Sequence, residues 1–185
     1  TNPPNTPREM LDATHVMDKK FLEISTAVVM NPLHFTVIDS ASNMYTSWGR
    51  NESAYDLIVS SDWYDKTLQE DGYMLWTLNH PNYVNQNQSN LITVSMVIKD
   101  SSFTHKIGTL IISESVEHYL DVLRNREGSD TQGYGFLLGP KDTILADQEE
   151  IVRELYNKIE PRLNTTANYT SSIAVDNELY VVSSF

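Results

Sequence analysis

The spacing of apolar residues changes once along this chain and then repeats, and that pattern limits the fold more than any motif does. From Arg8 to Met30, the residues Met10, Met17, Phe21, Ile24 and Val28 recur at the spacing of one helical face, until Asn31-Pro32 stops the run. Beyond Pro32 the period drops to two. His34 to Asp39 and Met44 to Trp48 read as a hairpin turning at Ser40 to Asn43. A helix capped by Ser61 or Asp62 follows, with Trp63, Tyr64, Thr67 and Leu68 inward and Gly72 placed to end it. Strands are predicted at Tyr73 to Leu78, Leu91 to Lys99 and Ile107 to Ser113. They are separated by an Asn- and Gln-rich loop, Asn79 to Asn90, that offers little to a core, and by the turn Asp100 to Lys106. A helix from Ser115 places Val116, Tyr119, Leu120 and Leu123 on one face.

After the polar stretch Asn125 to Thr131 the same grammar restarts. Gly133 to Leu138 and Thr143 to Ala146 flank the turn Gly139-Pro140-Lys141-Asp142. Asp147-Gln148-Glu149-Glu150 has the form of a capping box, opening a helix with Ile151, Val152, Leu155 and Ile159 inward. Thr170 to Val175 and Glu178 to Phe185 form a further hairpin about Asp176-Asn177. The order β-β-α-β-β therefore occurs twice, the second time short of a final strand. The fold class is α/β in the mixed α+β sense: a long N-terminal helix, then tandem modules with antiparallel sheets, the second reading as truncated. The divisions are 1–31 for leader and helix, 32–126 for the first module and 127–185 for the second.

Charge and cysteine content narrow the function. With 13 Lys and Arg against 25 Asp and Glu, the net charge is −12. Such a chain lacks the basic field that nucleic acid requires. It has no Cys, which removes disulfide scaffolds, thiolate zinc sites and thiol catalysis. No run approaches a membrane span, and a start at Thr1-Asn2-Pro3-Pro4 suits a processed protein or an excised piece.

Motifs for chemistry are wanting. There is no Gly-x-Ser-x-Gly, and in Gly135 to Lys141 the proline before the lysine spoils any likeness to a phosphate loop. His15, His34, His80, His105 and His118 lack metal-ligand spacing and read as surface or packing residues. The chain is read as non-enzymatic, without a cofactor or metal. What stands out is an aromatic concentration: Tyr45 and Trp48, Trp63 and Tyr64, then Tyr73, Trp76 and Tyr83. These can line a concave site or simply form a Leu-poor core. Thr77, Thr93 and Ser95 add polar groups, so the candidate ligand-binding set is Trp63, Tyr64, Trp76, Tyr45, Tyr73, Thr77, Thr93 and Ser95.

In their order, several segments resemble the extracellular double-Cache (PAS-like) sensor region of YesM-type Gram-positive sensor histidine kinases. They are the N-terminal helix running into His34 to Asp39, Asp62-Trp63-Tyr64 with Gly72 and Trp76, Ile92 to Asp100, Ile107 to Ile112, and Gly133 to Leu138. The resemblance implies a membrane-anchored parent receptor in a two-component system, with a membrane-distal ligand-binding module and a membrane-proximal relay module. The heptad-compatible face Met10, Met17, Phe21, Ile24 and Val28 is expected to pack on its own domain, with a homodimer through the N-terminal helix as the alternative. Many relatives hold amino acids through an Arg two residues before the Trp and an Asp on the last distal strand. Here Ser61 takes the Arg position, and Leu110 or Ile111 the Asp position. The expected partner is thus a small neutral or polar ligand, such as a sugar, or an extracellular protein. A chemoreceptor sensor region and a non-signalling extracellular binding module are the alternatives.

Overall fold

The computed structural model describes residues 4, 6–27, 33–48, 52–70, 72–84, 90–124, 135–138, 143–146, 148–160, 169–175 and 178–184. The chain divides into two compact units, Thr1–Tyr119 and Leu120–Phe185. The boundary expected at 126/127 lies outside the described residues.

The first unit opens with α1 (Pro7–Ala27), and its main sheet is built from β1 (His34–Asp39), β2 (Met44–Thr46), β3 (Leu75–His80), β4 (Leu91–Lys99) and β5 (Lys106–Ser115). The sheet is antiparallel in the order β2-β1-β5-β4-β3. Two short helices, α2 (Glu52–Val59) and α3 (Asp62–Gln69), lie between β2 and β3, and α4 (Val116–Arg124) follows β5. α2 is absent from the sequence-based expectation. Its Ala54 and Ile58, four residues apart, are both buried, as one helical face requires.

The sheet has two unlike faces. On one, Met10, Ala13, Met17 and Phe21 of α1 pack against Phe35, Val37, Tyr45 and Ile112, with the Phe21 and Phe35 rings stacked at 5.8 Å. The helical face offered as a dimer seam is therefore spent on the chain's own sheet. Of the remaining members, Ile24 is partly exposed and Val28 lies outside the described residues. The other sheet face carries α2 and α3. Ser61 caps α3, its hydroxyl accepting from Tyr64 N at 3.4 Å, and Gly72 adopts φ +93° just beyond the helix. Leu68, expected inward on α3, is exposed instead.

The second unit holds the hairpin β6 (Phe136–Leu138) with β7 (Ile144–Ala146), the helix α5 (Glu149–Ile159), and the hairpin β8 (Tyr169–Val175) with β9 (Glu178–Ser184). Ile144, Ala146, Val152 and Tyr156 form its core, joined by Phe136. Two local expectations fail. The N-cap of α5 is Gln148, which makes no side-chain capping bond, and Ile151 is exposed because Val152 takes the inward position.

Candidate functional site

The sheet face beneath α2 and α3 is mixed: Ile38, Leu91 and Ile111 pack with Ala54, Ile58, Tyr64 and Tyr83 in the unit's core, and buried hydroxyls lie among them. Directly paired residues share a face, and the register aligns Thr93 with Ser113, Ser95 with Ile111, Thr36 with Ile111, and Ile38 with Thr109. Thr36, Thr93, Ser95, Thr109 and Ser113 are all no more than 2% exposed. They form a floor of hydroxyls. Thr77 of β3 pairs with Thr93 and extends that floor to the edge strand.

His80 reaches the floor through a β-bulge. Between Thr77, which pairs with Thr93, and His80, which pairs with Leu91, β3 carries one residue more than β4. Asn79 absorbs it at φ +54°, and the extra residue turns His80 onto the same face as Thr77. The polypeptide then folds over the floor: Asn82 and Tyr83 are buried, so the loop read as remote from any core supplies part of the site.

Hydrogen bonds tie floor and cover together. His80 Nε2 lies 2.6 Å from Thr93 Oγ1, which lies 2.8 Å from Ser113 Oγ, which in turn lies 2.7 Å from the Tyr83 hydroxyl. On the α3 side, Thr67 Oγ1 is 2.6 Å from Ser95 Oγ, and the Tyr64 hydroxyl bonds to Thr109. Trp63 covers the assembly, 5.3 Å from the His80 ring and 6.4 Å from that of Tyr83. His80 and Tyr83 stack at 6.0 Å. At the β2 end Trp48 stacks on His34 at 3.4 Å, and its buried indole Nε1 has no hydrogen-bond partner among the described residues.

The network is uncharged at neutral pH. Burial lowers the His80 pKa to about 4, the Pro81 carbonyl opposing it, while burial raises those of Tyr64 and Tyr83. Among the described residues no group of three or more His, Cys, Asp or Glu could hold a metal.

Of the expected site residues, the structure brings together Trp63, Tyr64, Thr77, Thr93 and Ser95. Three fall elsewhere. Tyr45 pairs with Val37 and lies in the α1 core, on the opposite face, because alternation along β2 points it there. Trp76 pairs with Val94, again on the opposite face, and is 53% exposed at the sheet edge. Tyr73 precedes β3 and is exposed. Residues that the sequence reading did not place in the site are His80, Ser113, Thr36 and Thr109. Hydroxyls at alternate positions, Thr93 with Ser95 and Thr109 with Ser113, were the available signal.

No protein-family model matches the chain, and no curated protein does. Solved structures do. The ligand-binding domain of the Campylobacter jejuni chemoreceptor Tlp3 with L-valine superposes with a TM-score of 0.59 at 18% identity, covering 97% of this chain and 72% of that one. The ligand-binding domain of the Pseudomonas fluorescens chemoreceptor CtaA with L-leucine gives 0.53 at 14%, covering 92% and 80%. The same domain with L-serine gives 0.53 at 14%, covering 93% and 82%. The chain shares the fold of these solved domains. Ser61 is the N-cap of α3; of the two candidates for the Asp position, Ile111 is a wholly buried member of the floor and Leu110 pairs with Val37 and Met96 on the opposite face. None of the three carries a charge. No helix among the described residues is long and apolar enough to cross a membrane.

Proposed function

We propose that this chain is the extracellular ligand-sensing region of a membrane-anchored bacterial receptor, and that its first unit takes a small, neutral, hydrogen-bonding ligand between the hydroxyl floor and the Trp63/Tyr83 cover. The observation that carries the reading is the floor itself. Thr is nearly isosteric with Val, so an apolar floor would fill the same space without burying hydroxyls that must each find a partner. A sheet that keeps buried hydroxyls in the unit's centre is built for recognition.

The ligand class follows from charge. The amino-acid ligands named for the chemoreceptor structures carry a carboxylate and an ammonium group, and burying either unpaired is costly. The network here is neutral, and the resemblance puts Ser61 and Leu110 or Ile111 where the family clamp would stand. A sugar or other polyol suits it. Binding separates cover from floor and shifts the population of arrangements of the first unit, with 127–185 acting as the proximal relay module. The chain itself catalyses nothing in this scheme.

Two receptor classes share this input. The sequence resemblance favours a sensor histidine kinase, whereas the solved neighbours are chemoreceptor domains, which favours a chemotaxis output. Sequencing the gene beyond residue 185 separates them. A thermal-shift panel of sugars, polyols, amino acids and organic acids tests the ligand class: a rise in melting temperature with a neutral polyol is expected, and a rise with amino acids alone overturns the reading.

A further inference from the structure

A single ring orders the protons along the Thr93–Ser113–Tyr83 strip; the Tyr83 hydroxyl has a second contact, with Thr36, whose own proton goes to Thr46. A carbonyl oxygen only accepts, so the 3.0 Å contact of His80 Nδ1 with Pro81 O places the proton on Nδ1. The ring is neutral at pH 7, which leaves Nε2 an acceptor, and Thr93 donates to it across 2.6 Å. A hydroxyl has one proton. Thr93 Oγ1 must therefore accept from Ser113 at 2.8 Å, and Ser113 Oγ must accept from Tyr83 at 2.7 Å. The neighbouring strip obeys the same rule: Thr67 donates to Trp63 O at 2.8 Å, so Ser95 donates to Thr67 at 2.6 Å. Each hydroxyl proton in these two chains is committed inside the protein.

Access adds a second constraint. Thr93, Ser95 and Ser113 are no more than 1% exposed, so a ligand touches Ser113 only by replacing the Tyr83 hydroxyl. Whatever replaces it must donate to Ser113 Oγ. A ligand hydroxyl does so, whereas a carboxylate, a dianionic phosphate or an ether only accepts and leaves two lone pairs facing each other.

Building on the floor as a ligand site, we infer that His80 is its specificity-determining residue: the ring orders the hydroxyl chain so that the site admits a ligand presenting a hydroxyl proton to Ser113, a sugar or other polyol. Removing the acceptor at Nε2 reverses the order. In His80→Leu, Thr93 is released to donate to Ser113, Ser113 donates outward, and the floor comes to prefer acceptor groups.

Two measurements test this. Nitrogen-15 spectra of the wild-type imidazole at pH 7 read the tautomer directly; the proton is expected on Nδ1, and its presence on Nε2 overturns the proposal without any ligand or variant. Binding of a fixed set of neutral sugars and polyols, and of ketone or ether analogues that only accept, is then compared between wild type and His80→Leu, because a hydroxyl both donates and accepts and serves either order of the chain. The preference of the wild type for a polyol over its acceptor-only analogue is expected to fall tenfold or more in the variant. An unchanged preference in the variant removes His80 from specificity while leaving the ligand site standing. A wild type that binds no polyol overturns the ligand class, even with the proton on Nδ1.

Discussion

Burial of His80 makes the stability of the first unit depend on pH. Its folded pKa of about 4 lies below the ordinary histidine value of about 6.5, so between those values the unfolded chain holds a proton that the folded ring lacks. The stability contribution is complete above about pH 6.5, declines as pH falls, and is fully lost below about pH 4, a change of up to about 3 kcal/mol. Carboxylates titrate nearby, so the informative quantity is the difference between wild type and His80→Leu in urea midpoint at pH 7 and at pH 4. The variant should show the smaller acid loss, and equal losses would remove the effect from His80. Trp48 is the second residue whose environment makes a sharp forecast. Its indole N–H is buried without a partner among the described residues, which costs about 1–3 kcal/mol. Trp48→Phe keeps a ring against His34 and deletes the N–H. The ligand-free variant should therefore be at least as stable as wild type by denaturant unfolding; a loss above about 1 kcal/mol would mean that the N–H is paired.

Elements differ in how plainly the residues announce them. β4 was legible throughout, because Leu91 to Lys99 is an unbroken β-rich run buried on alternate positions and needs no other element to explain its pattern. α2 was not, since its buried positions reduce to Ala54 and Ile58 and the first is too small to stand out. The site was half-legible. Alternation put Thr77, Thr93 and Ser95 on one face, but which face α1 would cover is a tertiary choice, and it carried Tyr45 and Trp76 away. The side of α1 is tested by a pair of substitutions. Phe21, 4% exposed, should cost about 3–5 kcal/mol as Phe21→Ala. Leu22, 65% exposed, should be near neutral as Leu22→Ala; equal costs would misplace the helix. The β1–β5 pairing has a similar sentinel at Gly108. A Cβ there would stand 2.6 Å from Ile38 O, so Gly108→Ala forces two central strands apart and should cost about 1–3 kcal/mol in the same denaturation assay.

For the molecule as a whole, each unit carries its own core, Ile38 to Ile111 in the first and Ile144 to Tyr156 in the second. All three tryptophans, Trp48, Trp63 and Trp76, belong to the first unit. Indole emission therefore follows the first unit alone, whereas far-ultraviolet circular dichroism follows both. If the two cores melt independently, the curves will separate during denaturation, and a polyol that binds under Trp63 should move only the emission curve. Coincident curves that shift together would show one cooperative molecule. The bulge in β3 has an evolutionary corollary. Because β3 carries one residue more than β4 between Thr77 and His80, loss of one codon there would remove the bulge and leave His80 opposite Leu91, on the same face as Thr77. Relatives of this chain with a β3 shorter by that one residue are expected to keep both the strand pairing and the inward histidine.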